Sequence, residues 1–408
     1  MKIVWIIDNK FRELYGLYDL KKNLSNYNIK LYLFHIPVWK TAIDLINPNV
    51  VVVPNLHKTS CEPIVRYAEK KKIDIFMHSS EGMYYSDKIQ SAKYPLQLVK
   101  KIKKILVWGK NDAKYLLKKG FKDKVVNCGL LKFDKRNFSI KNSDNKKITR
   151  IGIPTHLRII SGFGRSKLMI PSVIRQTTLE RDYEKLGLYK FEYDYIQLLT
   201  EIIEQIGKKK QIIFKVSPFE NPEIYKNAFP NQKIFEGDDV RDFMKNIDVV
   251  LNVYSSISVD ALKHNVPVIS INKFIKWDRA VIKNKNYGPN AIEGSAKLGI
   301  EPKNLLEFYK LLKKNKKSLI NLCKKKNFFK KADELAETHD SIGLMTELFK
   351  KHSKKANHRP YNYFMYLKYL LVEIRQTFFR RPRAANYKRW KLSDNKLLYE
   401  FRIIKNQK

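Results

Sequence analysis

The chain has 408 residues, with 81 Lys and Arg against 40 Asp and Glu for a formal net charge of +41, and is 44% hydrophobic and 12% aromatic. At roughly 100–200 residues per domain this length suggests two domains with an appended segment, and the apolar content rules out wholesale disorder and fibrous repeats. The charge excess favours a polyanionic partner, whether nucleic acid, an acidic membrane surface or phosphorylated substrates, and carries no information about fold.

The first apolar run, Ile3 to Ile7, stops at Asp8. It is too short for the core of a signal peptide and reads as a first core strand. Five more runs follow: IKLYLFHI (29–36), NVVVVPN (49–55), DIFMHSS (74–80), KILVWG (104–109) and KVVNCG (124–129). They are apolar throughout, as parallel strands covered on both faces are. Helix-like stretches lie between them, including 60–72 and 111–120, the latter closing on Lys118-Lys119-Gly120, a basic last turn and a glycine stop. This alternation predicts a doubly wound α/β domain over 1–134.

Residues 135–149 are polar and aperiodic and read as a linker. A second series follows at RIGIPTH (150–156), QIIFKVSP (211–218), QKIFEGD (232–238), DVVLNVYSS (248–256) and PVISIN (267–272), with helices expected at 190–207, 240–246 and 258–265. This predicts a second Rossmann-like α/β domain over 150–350, ending in trailing helices, with no repeat of solenoid length. The segment 351–408 differs: it holds 16 Lys and Arg against three acids, and 11 aromatics. Its aromatic and leucine string at 361–374 is broken by Lys368 and Glu373, which suits a membrane interface rather than a span. A solvated tail packing aromatics on the core, or an RNA contact, are the other readings. No run reaches about 18 apolar residues, so no spanning helix is expected. Cys61, Cys128 and Cys323 are too far apart for a disulfide framework or a zinc site. The expected location is the cytoplasm, peripheral on the inner face of the plasma membrane.

Two Rossmann-like domains in series predict a ligand site in the cleft where the carboxyl ends of both sheets face each other. After the strand at 248–256 come Ser255, Ser256, Ser258 and Asp260. Hydroxyls at a helix start suit a phosphate, with Asp260 on the ribose; a capping motif with Ser256 or Ser258 as N-cap is an equal reading. The strand before it ends in Ser217, Pro218 and Glu220, and the opening strand in Thr155 and His156. A loop with Gly162, Gly164, Arg165 and Lys167 follows, able to approach and neutralise a phosphate, or else a flexible insertion. In the first domain His78 and Glu81 are candidate bases for an acceptor hydroxyl. Their structural alternatives are a hydrogen-bonded strand-end histidine and a helix-start carboxylate.

Three strings resemble those of GT-B-fold glycosyltransferases of bacterial surface carbohydrate (lipopolysaccharide or capsule) biosynthesis. They are HSSEGMYYSDK, ILVWGKNDAKYLLKKGFKDKVVNCGLLKFD, and VSPFENPEIY with DVVLNVYSSISVDALKHNVPVISIN. The last is shared with sugar-nucleotide epimerases. The resemblance implies an acceptor-binding first domain, a nucleotide-sugar-binding second domain, donor-phosphate hydroxyls at Ser255, Ser256 and Ser258, a ribose acid at Asp260 and a catalytic base at Glu81. Kdo and sialic acid transferases, which use CMP-sugars, carry His-Pro at the second strand end, where this chain has Ser217-Pro218. The expected function is therefore glycosyl transfer from a nucleotide-sugar, CMP-linked in the Kdo-like form, to a lipid-linked or polymeric saccharide. No DxD motif sits at a strand end, so no metal and no cofactor are expected. A glycerophosphotransferase of the teichoic-acid type and an epimerase are the alternative enzymes. A nucleic-acid-binding protein is the non-enzyme alternative, disfavoured because the lysines read as spread over helix faces of both domains.

Overall fold

The computed structural model describes residues 1–8, 10–79, 87–135, 147–155, 179–217, 220–235, 239–253, 255–275, 298–354, 356–357 and 359–360. Within these, 1–135 and 333 onward form one compact unit and 147–332 another.

The first unit alternates β1 (Lys2–Ile7), α1 (Lys10–Ser25), β2 (Lys30–His35), α2 (Trp39–Ile46), β3 (Val50–Val53), α3 (Glu62–Lys70), β4 (Asp74–His78), α4 (Asp87–Lys93), α5 (Leu96–Val99), β5 (Lys104–Val107), α6 (Lys110–Lys118) and β6 (Val125–Asn127). Its six strands are parallel in the order β2-β1-β3-β4-β5-β6, so the order reverses between β1 and β3. Successive strand residues point to opposite faces. Val4, Ile6, Val51 and Val53 accordingly join one core with α2 and α3, while Ile3, Trp5, Val50 and Val52 join the other with α1. Both faces are dry, which is why these runs have no polar alternation. Gly120 ends α6 at φ +84°, the left-handed stop that the sequence indicates.

The second unit runs β7 (Arg150–Pro154), α7 (Leu179–Ile206), β8 (Gln211–Lys215), α8 (Pro222–Ala228), β9 (Lys233–Ile234), α9 (Val240–Lys245), β10 (Val249–Asn252), α10 (Ile257–Lys263), β11 (Val268–Ser270), α11 (Leu305–Lys313) and α12 (Lys316–Lys325). Its parallel order is β11-β10-β7-β8-β9, reversing between β7 and β10. Two parallel, doubly wound α/β units in one chain are the architecture of the GT-B fold.

The chain passes back to the first unit within α13 (Phe328–Leu335) and ends its described course in α14 (Ser341–Ser353). The reading that left all of 301–350 with the second domain is corrected here. Ile342, Met345 and Phe349, spaced to share one helix face, lie in the α1 side of the first core, and Phe349 stacks on Phe76 with centroids 5.5 Å apart. The Asp134 carboxylate accepts the Ile342 N–H at 2.8 Å, and Asn23 donates to Thr346 Oγ1 at 2.7 Å. Gly129, at φ +73°, is needed beneath this return: a Cβ there would stand 2.8 Å from the Glu337 carbonyl oxygen.

Candidate functional site

In open parallel sheets, ligands bind beyond the carboxyl ends of the strands where the strand order reverses. In the second unit that point is β7 beside β10. Thr155, 1% exposed, follows β7 and is drawn toward β8: its amide donates to the Lys215 carbonyl at 3.1 Å and its Oγ1 accepts the Ser217 N–H at 3.1 Å. Glu220 is buried and receives the Tyr225 hydroxyl at 2.6 Å, so the acid read as a ligand group also anchors α8. Burial raises the pKa of Tyr225, which keeps it a donor.

At the end of β10 the decisive side chain is one that the sequence reading passed over. Asn252, 1% exposed, accepts the Ser255 N–H at 2.9 Å and donates to the Ser255 carbonyl at 3.0 Å. This side-chain turn sets the course of the connection into α10. Ser255 Oγ then accepts the Ile257 N–H at 3.3 Å, and Ser258 donates to the Ser255 carbonyl at 3.2 Å. Neither expected cap serves as such: Ser256 makes no side-chain cap bond and stands exposed, and Ser258 is buried. Asp260 is buried one turn into α10. Ser270, register partner of Asn252 on β11, is buried, and among the described residues its hydroxyl has no partner. The structure thus brings Thr155 and Ser217 together where the neighbouring strands β7 and β8 end, with Glu220 three residues beyond, and Ser255, Ser256, Ser258 and Asp260 at the end of β10. His156, Arg165, Lys167 and Pro218 lie outside the described residues.

In the first unit His78 ends β4 and is 2% exposed, its ring 5.3 Å from that of Trp5. Burial pushes its pKa down to about 3, helped by the Lys93 charge and opposed by the nearby Gly129 backbone. His78 is a buried, neutral group at the strand end. Glu81 lies outside the described residues. A histidine whose pKa falls on folding takes up its proton only on unfolding, so its contribution is full above about pH 6.5 and is lost as pH falls toward 3. Between pH 6.5 and 5 this one group is expected to cost about 2 kcal/mol. Urea unfolding of the wild type and of His78→Leu at both pH values checks this, and equal pH losses in the two would refute it.

Beyond β5 lies a buried network that the sequence reading also missed. Asp112, in the first turn of α6, receives Lys93 Nζ at 2.6 Å and the Tyr94 hydroxyl at 2.9 Å, and the Lys93 ammonium sits over the Tyr94 and Trp108 rings at 5.0 and 5.5 Å. Beside β6, Glu337 receives Asn127 Nδ2, with His339 Nε2 at 2.8 Å and Lys110 Nζ at 3.1 Å. Among the described residues no group of three or more His, Cys, Asp or Glu is placed to hold a metal ion.

No protein-family model and no curated protein matches the chain. Solved structures do. S. aureus MnaA in complex with UDP is 14% identical, with 88% of this chain and 99% of that chain covered at TM-score 0.50. UDP-GlcNAc 2-epimerase of Methanocaldococcus jannaschii with UDP-GlcNAc and UDP is 16% identical, with 86% and 100% covered at TM-score 0.50. A variant of the wall teichoic acid polymerase TagF is 13% identical, with 87% and 89% covered at TM-score 0.50. At these identities the similarity is one of fold, and it extends through both units: the chain has the GT-B architecture of these enzymes.

Proposed function

We propose that the chain is a GT-B glycosyltransferase: its second unit holds a nucleotide-sugar, and it passes the sugar to a hydroxyl of a lipid-linked or polymeric surface saccharide at the inner face of the plasma membrane. The observation that carries this reading is the paired strand end at the order reversal of the second sheet. There Thr155 and the Asn252–Ser255 turn are locked by backbone hydrogen bonds, and Ser256 is left exposed. Rigid, small polar groups at that position favour a phosphate or ribose over an apolar ligand. The fold likeness supports it, since two of the similar proteins were solved with UDP or UDP-GlcNAc.

In this reading Asp260 and the serines bind and orient the donor, and Arg165 and Lys167 neutralise the phosphate as it leaves. Glu81 takes the proton of the acceptor hydroxyl while that oxygen bonds to the anomeric carbon and the carbon–phosphate-oxygen bond breaks. The charge balances through these side chains, without a metal. A second reading, transfer of glycerol phosphate from CDP-glycerol, is favoured by the likeness to TagF.

Calorimetric titration with CMP, CDP, UDP and GDP is expected to give saturable binding of one of them. Asn252→Ala, which removes two hydrogen bonds of the turn, should weaken it about tenfold. CDP as the ligand would select glycerol phosphate transfer, and UDP or GDP an ordinary hexose. CMP would select a Kdo-like donor, and epimerisation of a bound UDP-sugar without acceptor would select the epimerase reading. If none of the four binds, the reading fails.

A further inference from the structure

All amino ends of a parallel sheet lie along one edge, opposite the edge that carries the site. In the first unit that edge is loaded with lysine. The turn into β4 has lysines at 70, 71 and 72, all exposed. The turn into β5 has them at 100, 101, 103 and 104, and the turn into β6 at 118, 119, 122 and 124. The acids among them are few: Glu69 pairs with Lys101, Asp74 pairs with Lys103 at 2.7 Å, and Asp123 stands in the last turn. By contrast, the two residues after each strand of this sheet include no lysine. Strand order makes the three turns one patch, because β4, β5 and β6 are consecutive in the sheet. Neighbouring strands are about 5 Å apart, so the turns form a strip rather than three separate sites.

The basic segment leaves from the same edge. Helix α14 runs down the sheet to His352, whose Nε2 lies 2.8 Å from Asp74 at the start of β4. Beyond it, Asn49 donates to the Asn357 carbonyl at 2.7 Å, Asn47 to the Pro360 carbonyl at 3.2 Å, and Arg359 to the Lys72 carbonyl at 2.6 Å. These bonds bring the chain at Pro360 to the starts of β3 and β4, next to the lysine strip, immediately before a stretch with 11 aromatics and 12 Lys and Arg. The crowding of positive charge is felt at Lys2, whose pKa is held down to about 8, first by burial and then by Lys30 and Arg359.

We infer that the amino-terminal edge of the first sheet is a docking surface for an anionic lipid bilayer. Exposed ammonium groups on flexible stems, such as those of Lys70, Lys100 and Lys122, complement a plane of anionic headgroups. Single-stranded RNA would need exposed aromatic faces for its bases. Among the described residues of this unit Tyr27 is the exposed aromatic, and Lys350 lies over its ring at 4.2 Å. Docked by this edge, the carboxyl ends of the strands stand a strand length, roughly 10–16 Å, from the headgroups. That height suits the growing end of a polymeric acceptor. This deepens the membrane part of the proposed function and is independent of its donor chemistry.

The test is sedimentation of the full chain with vesicles of phosphatidylcholine alone or mixed in equal parts with phosphatidylglycerol. Wild type is expected to bind the anionic vesicles only, less so as salt rises. The variant Lys70→Gln/Lys100→Gln/Lys122→Gln should bind them about 100-fold more weakly, at about fivefold per lysine. Removing three exposed charges from the second unit, with Lys313→Gln/Lys317→Gln/Lys324→Gln, should leave binding near wild type. Equal losses in both variants would show that net charge alone attracts the chain, and would overturn the surface. Wild-type binding by the edge variant would overturn it too, as would binding of single-stranded RNA, lost in that variant, with no binding of vesicles. Nucleotide affinity of the edge variant reports on the donor site alone, so failure of one proposal is not mistaken for failure of the other.

Discussion

Replacing Glu81 with Gln is expected to lower turnover by about 10²–10⁴-fold, the usual contribution of a general base, with nucleotide affinity unchanged. The sequence offers two bases at and after the end of β4, and the structure describes the first of them. His78 is buried against Trp5 with its pKa down at about 3, which makes it a weak base with little exposed surface. Glu81, three residues on in the sequence, is the base of the proposed mechanism. Initial rates and calorimetry on Glu81→Gln and His78→Asn check the assignment. A wild-type rate in Glu81→Gln, or a greater loss in His78→Asn without loss of stability, would assign the proton transfer elsewhere.

Asp112→Leu is expected to destabilise the first unit by about 3–5 kcal/mol, because it strands the Lys93 ammonium among apolar and aromatic neighbours. Asp112 and Lys93 are both under 10% exposed, and Tyr94 loses its acceptor in the same substitution. The double variant Lys93→Met/Asp112→Leu removes both charges and should recover most of that loss, since a buried pair is often replaceable by apolar residues of similar size. Urea unfolding of the two single variants and the double gives the coupling between them. A single-variant loss under about 1 kcal/mol, the range of exposed pairs, would mean that water reaches the pair and that it contributes little.

Sequence alone determined the strands of both sheets, since apolar runs such as VVVV at 50–53 have no water-facing side to encode and cannot be mistaken for half-exposed ones. It also pointed to the strand ends as candidate sites, because parallel sheets gather polar groups such as those of Thr155 and Ser255 there. The spread of lysine over helix faces, read from sequence, was a projection onto one dimension: strand order β4-β5-β6 is what sets three lysine turns side by side. Likewise nothing local marks Ile342, Met345 and Phe349 as partners of α1 rather than of the second unit. Asn252 and Ser255 are three residues apart, yet only the structure shows the turn that Asn252 closes at the candidate site. His78 and Glu81 look alike as bases in sequence, and only packing makes one of them inert. Periodicity and residue type report what a segment must bury, whereas strand order, burial of a single polar side chain and pairing across the chain depend on which distant segment supplies the other surface.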